Sequence, residues 1–198
     1  MLVVIAAFKS EIFPVLHCYQ LQQLTNSDRF KIYGNDKMTV GISGIGYTNA
    51  NALTKFIVKE VIDEKSKCWL NFGVGGACSW SKGALVWGDK VLKQNSDDHW
   101  KICGSPMNCG NSGTIYTVNT PCHDYKPSIV YDMEAAGMVS ALNTLGFFKD
   151  IYVLKLVSDT PDNPLGNQTL GDIKMQIRAK QKSILDCVKK LPSTNFQD

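Results

Sequence analysis

The segment Leu2-Val3-Val4-Ile5-Ala6-Ala7 is apolar at every position, rich in β-branched residues and short. A strand of that kind is covered on both faces, as in parallel sheets flanked by helices. Cys68 to Phe72 and Ile151 to Val157 are read as two further buried strands. Helical patterns lie between these runs. Glu11 stands on the turn into a helix that tolerates Pro14 in its first turn, and Asn49 to Val61 carries apolar residues at helical spacing. Met133 to Leu145 reads as a helix closed by Gly146 in a left-handed cap, and Leu170 to Leu191 as one long amphipathic helix ended by Pro192. Lys31 to Tyr33 and Met38 to Ile42 flank Gly34-Asn35-Asp36 as a hairpin, while Val86 to Leu92 and Thr114 to Val118 read as strands. The polar stretch Lys93 to Gly113 reads as a loop. Strands alternating with helices give an α/β architecture with a largely parallel sheet, made mixed by the hairpin. No internal repeat or linker interrupts residues 1–198, which are expected to form a single domain.

Composition narrows the function classes. The chain has 198 residues, 44% hydrophobic and 20% charged, the balance of a soluble globular protein. A net charge of +3 with scattered lysines provides no nucleic-acid surface. Lys174, Arg178, Lys180, Lys182, Lys189 and Lys190 read as the solvated face of the last helix. The seven cysteines form no CxxC pair, which fits reduced thiols in a reducing cytosol. Cys103, Cys109 and Cys122 with His123 match no metal-ligand spacing, so no metal is expected. Met1 to Ala7 lacks a basic leader, and no stretch reaches the length of a membrane span, so a cytoplasmic location is expected.

In open α/β sheets, ligands bind beyond the carboxyl ends of strands. Here those ends carry Glu11, the loop Ser43 to Gly46, Gly73-Val74-Gly75-Gly76, Asp132-Met133-Glu134 and Ser158-Asp159. Each has a plain alternative. The glycines could form a tight turn and lack the order of a phosphate or dinucleotide loop. Asp132 could cap the following helix, and Glu134 could serve its dipole. Ala135-Ala136-Gly137 permits close approach of a ligand or of another helix. Asp159 could be a loop cap, or a general acid tuned by its neighbours.

Taken in order, Ala6-Ala7-Phe8-Lys9-Ser10-Glu11, Ser43-Gly44-Ile45-Gly46, Phe72-Gly73-Val74-Gly75-Gly76, Gly88-Asp89, Thr117-Val118-Asn119-Thr120, Val130-Tyr131-Asp132-Met133-Glu134-Ala135-Ala136 and Lys155-Leu156-Val157-Ser158-Asp159 resemble the purine nucleoside phosphorylase/nucleosidase superfamily. They are most similar to its methylthioadenosine/S-adenosylhomocysteine nucleosidase and futalosine hydrolase branch. The resemblance implies a three-layer αβα sandwich around a mixed, largely parallel sheet. It also implies cleavage of the N-glycosidic bond of a purine-type nucleoside. Asp159 would be the general acid at N7 of the base, Glu134 would bind the ribose hydroxyls beside the Met133 backbone, and Glu11 would activate water. Phe8 and Ile45 would touch the sugar. Val74, Gly75 and Gly76 would line the base and sugar pocket, with Pro121 and Cys122 beside the base. Asp132, Lys155 and Ser158 complete the expected substrate site. The chemistry needs an acid on the base, a nucleophile on the opposite face and negative charge near an oxocarbenium-like ring, with the carboxyl proton affinities held apart.

Two departures bear on the reaction. No Gly-Asp-Pro…Arg phosphate signature follows the first strand, which favours hydrolysis, and Lys155 stands where the family usually has Arg, replacing a planar fork by a point charge. Two alternatives remain: a phosphorylase with Lys9 or Lys155 at the anion site, so that phosphate joins the nucleoside as a partner, and a nucleoside-binding module without chemistry. Residues 93–114 and the segment after Thr120 look short for the family. The resemblance also implies a homo-oligomer that acts without a metal or organic cofactor and without nucleic-acid or membrane partners.

Overall fold

A computed structural model of the chain describes residues 1–26, 29–62, 68–108, 110–164, 166 and 168–192. In chain order its elements are β1 (Leu2–Ala6), α1 (Lys9–Cys18), β2 (Gln22–Asn26), β3 (Lys31–Gly34), β4 (Met38–Ile42), α2 (Tyr47–Glu60), β5 (Cys68–Ala77), β6 (Leu85–Lys93), β7 (His99–Lys101), β8 (Asn111–Thr117), β9 (Ile129–Asp132), α3 (Ala135–Thr144), β10 (Ile151–Asp159), α4 (Leu170–Ala179) and α5 (Gln181–Lys189).

The uninterrupted apolar run of β1 is explained by what covers it. Successive side chains of a strand point to opposite faces. Val3 and Ile5 join a core with Leu53 and Ile57 of α2 and Met138 and Leu142 of α3. Leu2, Val4 and Ala6 join another core with Ile12 and Val15 of α1, Ile177 of α4, and Ile184 and Val188 of α5. The sheet therefore carries α2 and α3 on one face and α1, α4 and α5 on the other, a three-layer αβα sandwich.

The sheet is mixed. Its middle, β4-β1-β5-β10, is parallel. Antiparallel β3 and β2 extend one side of it. On the other side β10 pairs antiparallel with β6, β6 parallel with β8, β8 parallel with β9, and β9 returns antiparallel to the end of β5. The strands β5, β10, β6, β8 and β9 thus close into a ring, while β1 to β4 form an open wing. One edge of β5 is shared: β1 pairs with Cys68 to Asn71, and β9 with Gly76 and Ala77. The residues between lie where two neighbouring strands part, which is where a crevice forms in α/β sheets.

Several expectations are corrected. Gly73-Val74-Gly75-Gly76 is strand, not turn, because β10 pairs along it from Lys155↔Gly73 to Asp159↔Gly76. The expected loop 93–113 contains β7, a short 3-10 turn (Pro106–Asn108) and the start of β8. Antiparallel pairing of β7 with β6, and burial of Trp100 and Ile102 against the core, override the polar composition. The expected single helix 170–191 breaks at Lys180 (φ −104°, ψ 7°), whose stem packs 3.0 Å from the position a side chain would take at Gly83. No Gly or Pro marks that break. The strands β2 and β9 have too few residues to show a period. Gly146 does take the left-handed conformation expected after α3, at φ 84°.

The small residues at the head of α3 meet a helix. A Cβ at Gly137 would collide with the backbone carbonyl of Tyr47 and lie 3.1 Å from Ala50 Cβ, so α2 and α3 cross with almost no space between their backbones. Tyr47 Oη also donates to Ser140 Oγ (3.0 Å), and Asn51 Nδ2 to the Gly137 carbonyl (3.1 Å). Among the described residues no helix is long and apolar enough to cross a membrane. Gly137→Ala is expected to destabilise the protein by about 1–3 kcal/mol through overpacking of this crossing. Urea denaturation with an unchanged slope would read the loss, and wild-type stability would refute the close-packed crossing.

Candidate functional site

Three acids reach one cavity of about 300 Å³ from different elements: Glu11, Glu134 and Asp159. Glu11 is the third residue of α1, and its Oε2 accepts from Phe8 N (2.9 Å), closing the first turn of its own helix. Its Oε1 accepts from Val74 N (3.2 Å), in the stretch of β5 where β1 and β9 part. The carboxylate thus fills a gap in the strand ladder, and both oxygens are oriented by backbone donors. Burial pushes the Glu11 pKa up, and these donors together with Lys155 offset part of the rise.

Glu134 is the N-cap residue of α3, and its Oε1 accepts from Gly46 N (2.8 Å) at the head of α2. Gly46 has φ 100°, a conformation that side-chain-bearing residues rarely adopt, and it turns its N–H toward the acid. Glu134 therefore joins the N-termini of both helices of one layer. Burial raises its pKa from the ordinary 4.5 to about 7. Lys155 pulls it down, and Asp132 and Glu11 push it further up.

Beneath these acids lies a fully buried ion pair. Lys155 Nζ is 2.6 Å from Asp132 Oδ2, with neither side chain exposed. Asp132 Oδ2 also accepts from Glu134 N (3.2 Å) and Ala135 N (2.8 Å), so the helix-capping role is real. Its Oδ1 accepts from Thr117 Oγ1 (2.6 Å), which in turn accepts from Ala136 N (2.9 Å). Burial favours the neutral amine of Lys155, but Asp132, Glu134 and Glu11 outweigh it and its pKa is raised. Lys155 and Asp132 thus balance each other, and the two glutamates beside them hold their protons more tightly than usual.

Asp159 owes its position to a bulge. The register of β10 on β5 passes from Val157↔Gly75 to Asp159↔Gly76, so Ser158 is the extra residue. In a regular strand Ser158 and Asp159 would point to opposite faces; with the bulge both line the cavity. Ser158 Oγ donates to Asp159 Oδ1, and Tyr125 Oη donates to Asp159 Oδ2.

Of the residues expected from sequence, Phe8, Ile45, Val74, Gly75, Gly76, Pro121, Cys122, Asp132, Met133 and Ser158 all line this cavity with the three acids. Lys155 does not: it lies under the floor, where it holds Asp132 and faces no solvent. Sequence reasoning missed Tyr125, Tyr131, Val118, Gln168, Leu170 and Ile173, which complete the wall. Tyr125 sits in a segment without periodicity, and Leu170 and Ile173 read as ordinary positions of an amphipathic helix. Gln168 Nε2 donates to the carbonyls of Ser158 (2.9 Å) and Asn163 (3.2 Å), tying the loop after β10 back to the acid's neighbour. Among the described residues no group of three or more His, Cys, Asp or Glu is arranged to hold a metal, and Cys109 lies outside the described residues.

Removing the buried charge at 134 should change how stability depends on pH. The folded state holds the Glu134 proton up to about pH 7, whereas the unfolded chain releases it near 4.5. Stability contributed by the protonated acid is therefore lost as pH rises through that window, on the order of 3 kcal/mol. Glu134→Gln keeps an acceptor for Gly46 N and should flatten the decline in unfolding free energy between pH 4.5 and 7. An identical slope in both proteins would contradict the raised proton affinity.

Comparison with family models and with curated proteins by sequence returns no match. Solved structures do match. The 5′-methylthioadenosine/S-adenosylhomocysteine nucleosidase of Neisseria meningitidis, in complex with methylthio-immucillin-A, superimposes with a TM-score of 0.76 at 19% identity, covering 96% of this chain and 99% of that one. The apo 5′-methylthioadenosine nucleosidase of Arabidopsis thaliana gives 0.78 at 16% identity, over 100% and 96% of the two chains. The corresponding nucleosidase of Colwellia psychrerythraea 34H, in complex with adenine, gives 0.75 at 15% identity, over 96% and 95%. The chain has the fold of the 5′-methylthioadenosine/S-adenosylhomocysteine nucleosidases.

Proposed function

We propose that the chain cleaves the N-glycosidic bond of a purine-type nucleoside by hydrolysis. The observation that carries this is the meeting of Glu11, Glu134 and Asp159 on one cavity whose volume, about 300 Å³, falls at the small end of ligand sites. Departure of a base from ribose builds positive charge on the sugar and negative charge on the base. Asp159 supplies the proton or hydrogen bond that neutralises the base. Glu134, with one oxygen held by Gly46 N, offers the other to the ribose hydroxyls and stabilises the developing cation. Glu11, fixed by two backbone donors and raised in proton affinity, is suited to take a proton from water. Phe8, Ile45 and Met133 provide apolar contact for the sugar, and Gly75, Gly76, Pro121 and Cys122 for the base. Binding of methylthio-immucillin-A by the Neisseria protein and of adenine by the Colwellia protein, both of this fold, supports a purine ligand.

Hydrolysis is favoured over phosphorolysis by charge. No Lys, Arg or His is among the residues lining the cavity. Lys155 is sealed beneath it in the pair with Asp132, and Lys9 faces a separate pocket with Lys174 and Arg178. A phosphate dianion placed against these acids would meet no cation among the described residues that line the cavity.

Incubating the protein with a panel of purine nucleosides in phosphate-free buffer should release free base and free sugar. Strict dependence on phosphate, with a sugar 1-phosphate as product, would overturn hydrolysis, and binding without turnover would leave a nucleoside-binding module. Asp159→Asn should lower kcat by roughly 10²–10⁴-fold, the usual weight of a general acid, while nucleoside binding persists. Retained turnover in that variant would remove Asp159 from the chemistry.

A further inference from the structure

Each oxygen of the Asp159 carboxyl group accepts one hydrogen bond. Ser158 Oγ donates to one oxygen and Tyr125 Oη to the other. Ser158 is Asp159's neighbour on the same bulged strand and also reaches the Gly75 carbonyl (3.4 Å). Tyr125 comes from a segment of different character. Among the described residues 120–127 no backbone-to-backbone hydrogen bond is made. What ties this segment is Lys126 N donating to Tyr131 Oη (3.3 Å), a tilted ring contact between Tyr125 and Tyr131 at 5.6 Å, and the Tyr125 hydroxyl itself.

The Tyr125 ring lies on the cavity floor and not at its rim. A Cβ at Gly76 would stand 2.5 Å from Tyr125 Cε1 and 2.6 Å from its Oη, and would collide with Asp159 Oδ2. The bare backbone of Gly76 thus admits the phenol to the place where Asp159 would meet a base. Burial first, then Asp159, pushes the Tyr125 pKa up, so the hydroxyl keeps its proton and is a poor acid toward a ligand.

Building on the nucleosidase assignment above, we propose that Tyr125 is a latch and a specificity-determining residue of the base subsite: its hydroxyl occupies the docking point on Asp159, and a purine base is gripped only by replacing it as the segment 119–127 releases. A base that offers Oδ2 no partner is rejected, because its binding would leave a buried carboxyl oxygen unpaired once the phenol has moved away. Tyr125 acts here by exclusion and takes no part in proton transfer.

Tyr125→Phe keeps the ring against Gly76 and Tyr131 and removes only the hydroxyl. With adenine as the probe, this variant should bind about five-fold more tightly than wild type, the size of one net hydrogen bond no longer displaced. KM for a cleaved nucleoside should fall in step, and the Lys126 amide, which donates to Tyr131 Oη, should exchange with deuterium faster in the ligand-free variant. Weaker adenine binding, or a ten-fold loss of kcat at constant KM, would overturn the latch and make Tyr125 a participant in binding or chemistry. Unchanged amide exchange would also overturn it. If the wild type binds no purine and cleaves no nucleoside, the nucleosidase assignment fails, and the amide exchange of Tyr125→Phe by itself decides whether the hydroxyl holds the segment closed.

Discussion

The architecture of the site depends on a buried charge, the ammonium of Lys155 in the middle of β10. An unpaired cation at that depth would cost several kcal/mol, and Asp132 at the end of β9 answers it at 2.6 Å. The same carboxylate caps α3 and accepts from Thr117 on β8. A single ion pair thus binds β10, β9, β8 and α3. It also fixes the local field. Lys155, paired directly with Asp132, only partly offsets the burial that raises the proton affinities of Glu11 and Glu134 at the cavity. A bidentate Arg in place of Lys155 would distribute its charge across more than one acid; the lysine concentrates it on Asp132.

Backbone irregularities create the room for chemistry. β5 changes neighbour partway along its length, and Val74 N, at that change, is answered by Glu11. The bulge at Ser158 turns two consecutive side chains into one cavity. In a perfectly regular sheet the gap would be closed by another strand and either Ser158 or Asp159 would face the opposite layer.

Much of this was readable in the chain, and the unreadable part has physical causes. The continuous apolar run of β1 announced a strand covered on both faces, and the acids at 11, 134 and 159 stood out because each follows such a strand or opens a helix. Lys155 was visible as a residue but not in its place: nothing in Leu154-Lys155-Leu156 says whether an ammonium points into a cavity or beneath it. Tyr125 could not be found, since its importance arises from Gly76, distant in sequence and made adjacent by the return of β9 to β5. The kink at Lys180 carries no helix-breaking residue to announce it. The hairpin β6–β7 was masked by polar residues whose strand character comes from pairing and from the packing of Trp100 against the core.

Glu134 has one further consequence. It receives Gly46 N from α2 while standing at the head of α3, and a few residues on, those helices touch through Gly137 with no side chain between them. The Glu134 carboxylate is therefore referenced to the seam of a helical layer and not to the sheet. A small sideways slip of α2 along that seam would carry Gly46 away from the acid while every strand stayed in register. Damage to this distant packing would surface as a displaced carboxylate in a molecule that still looks folded.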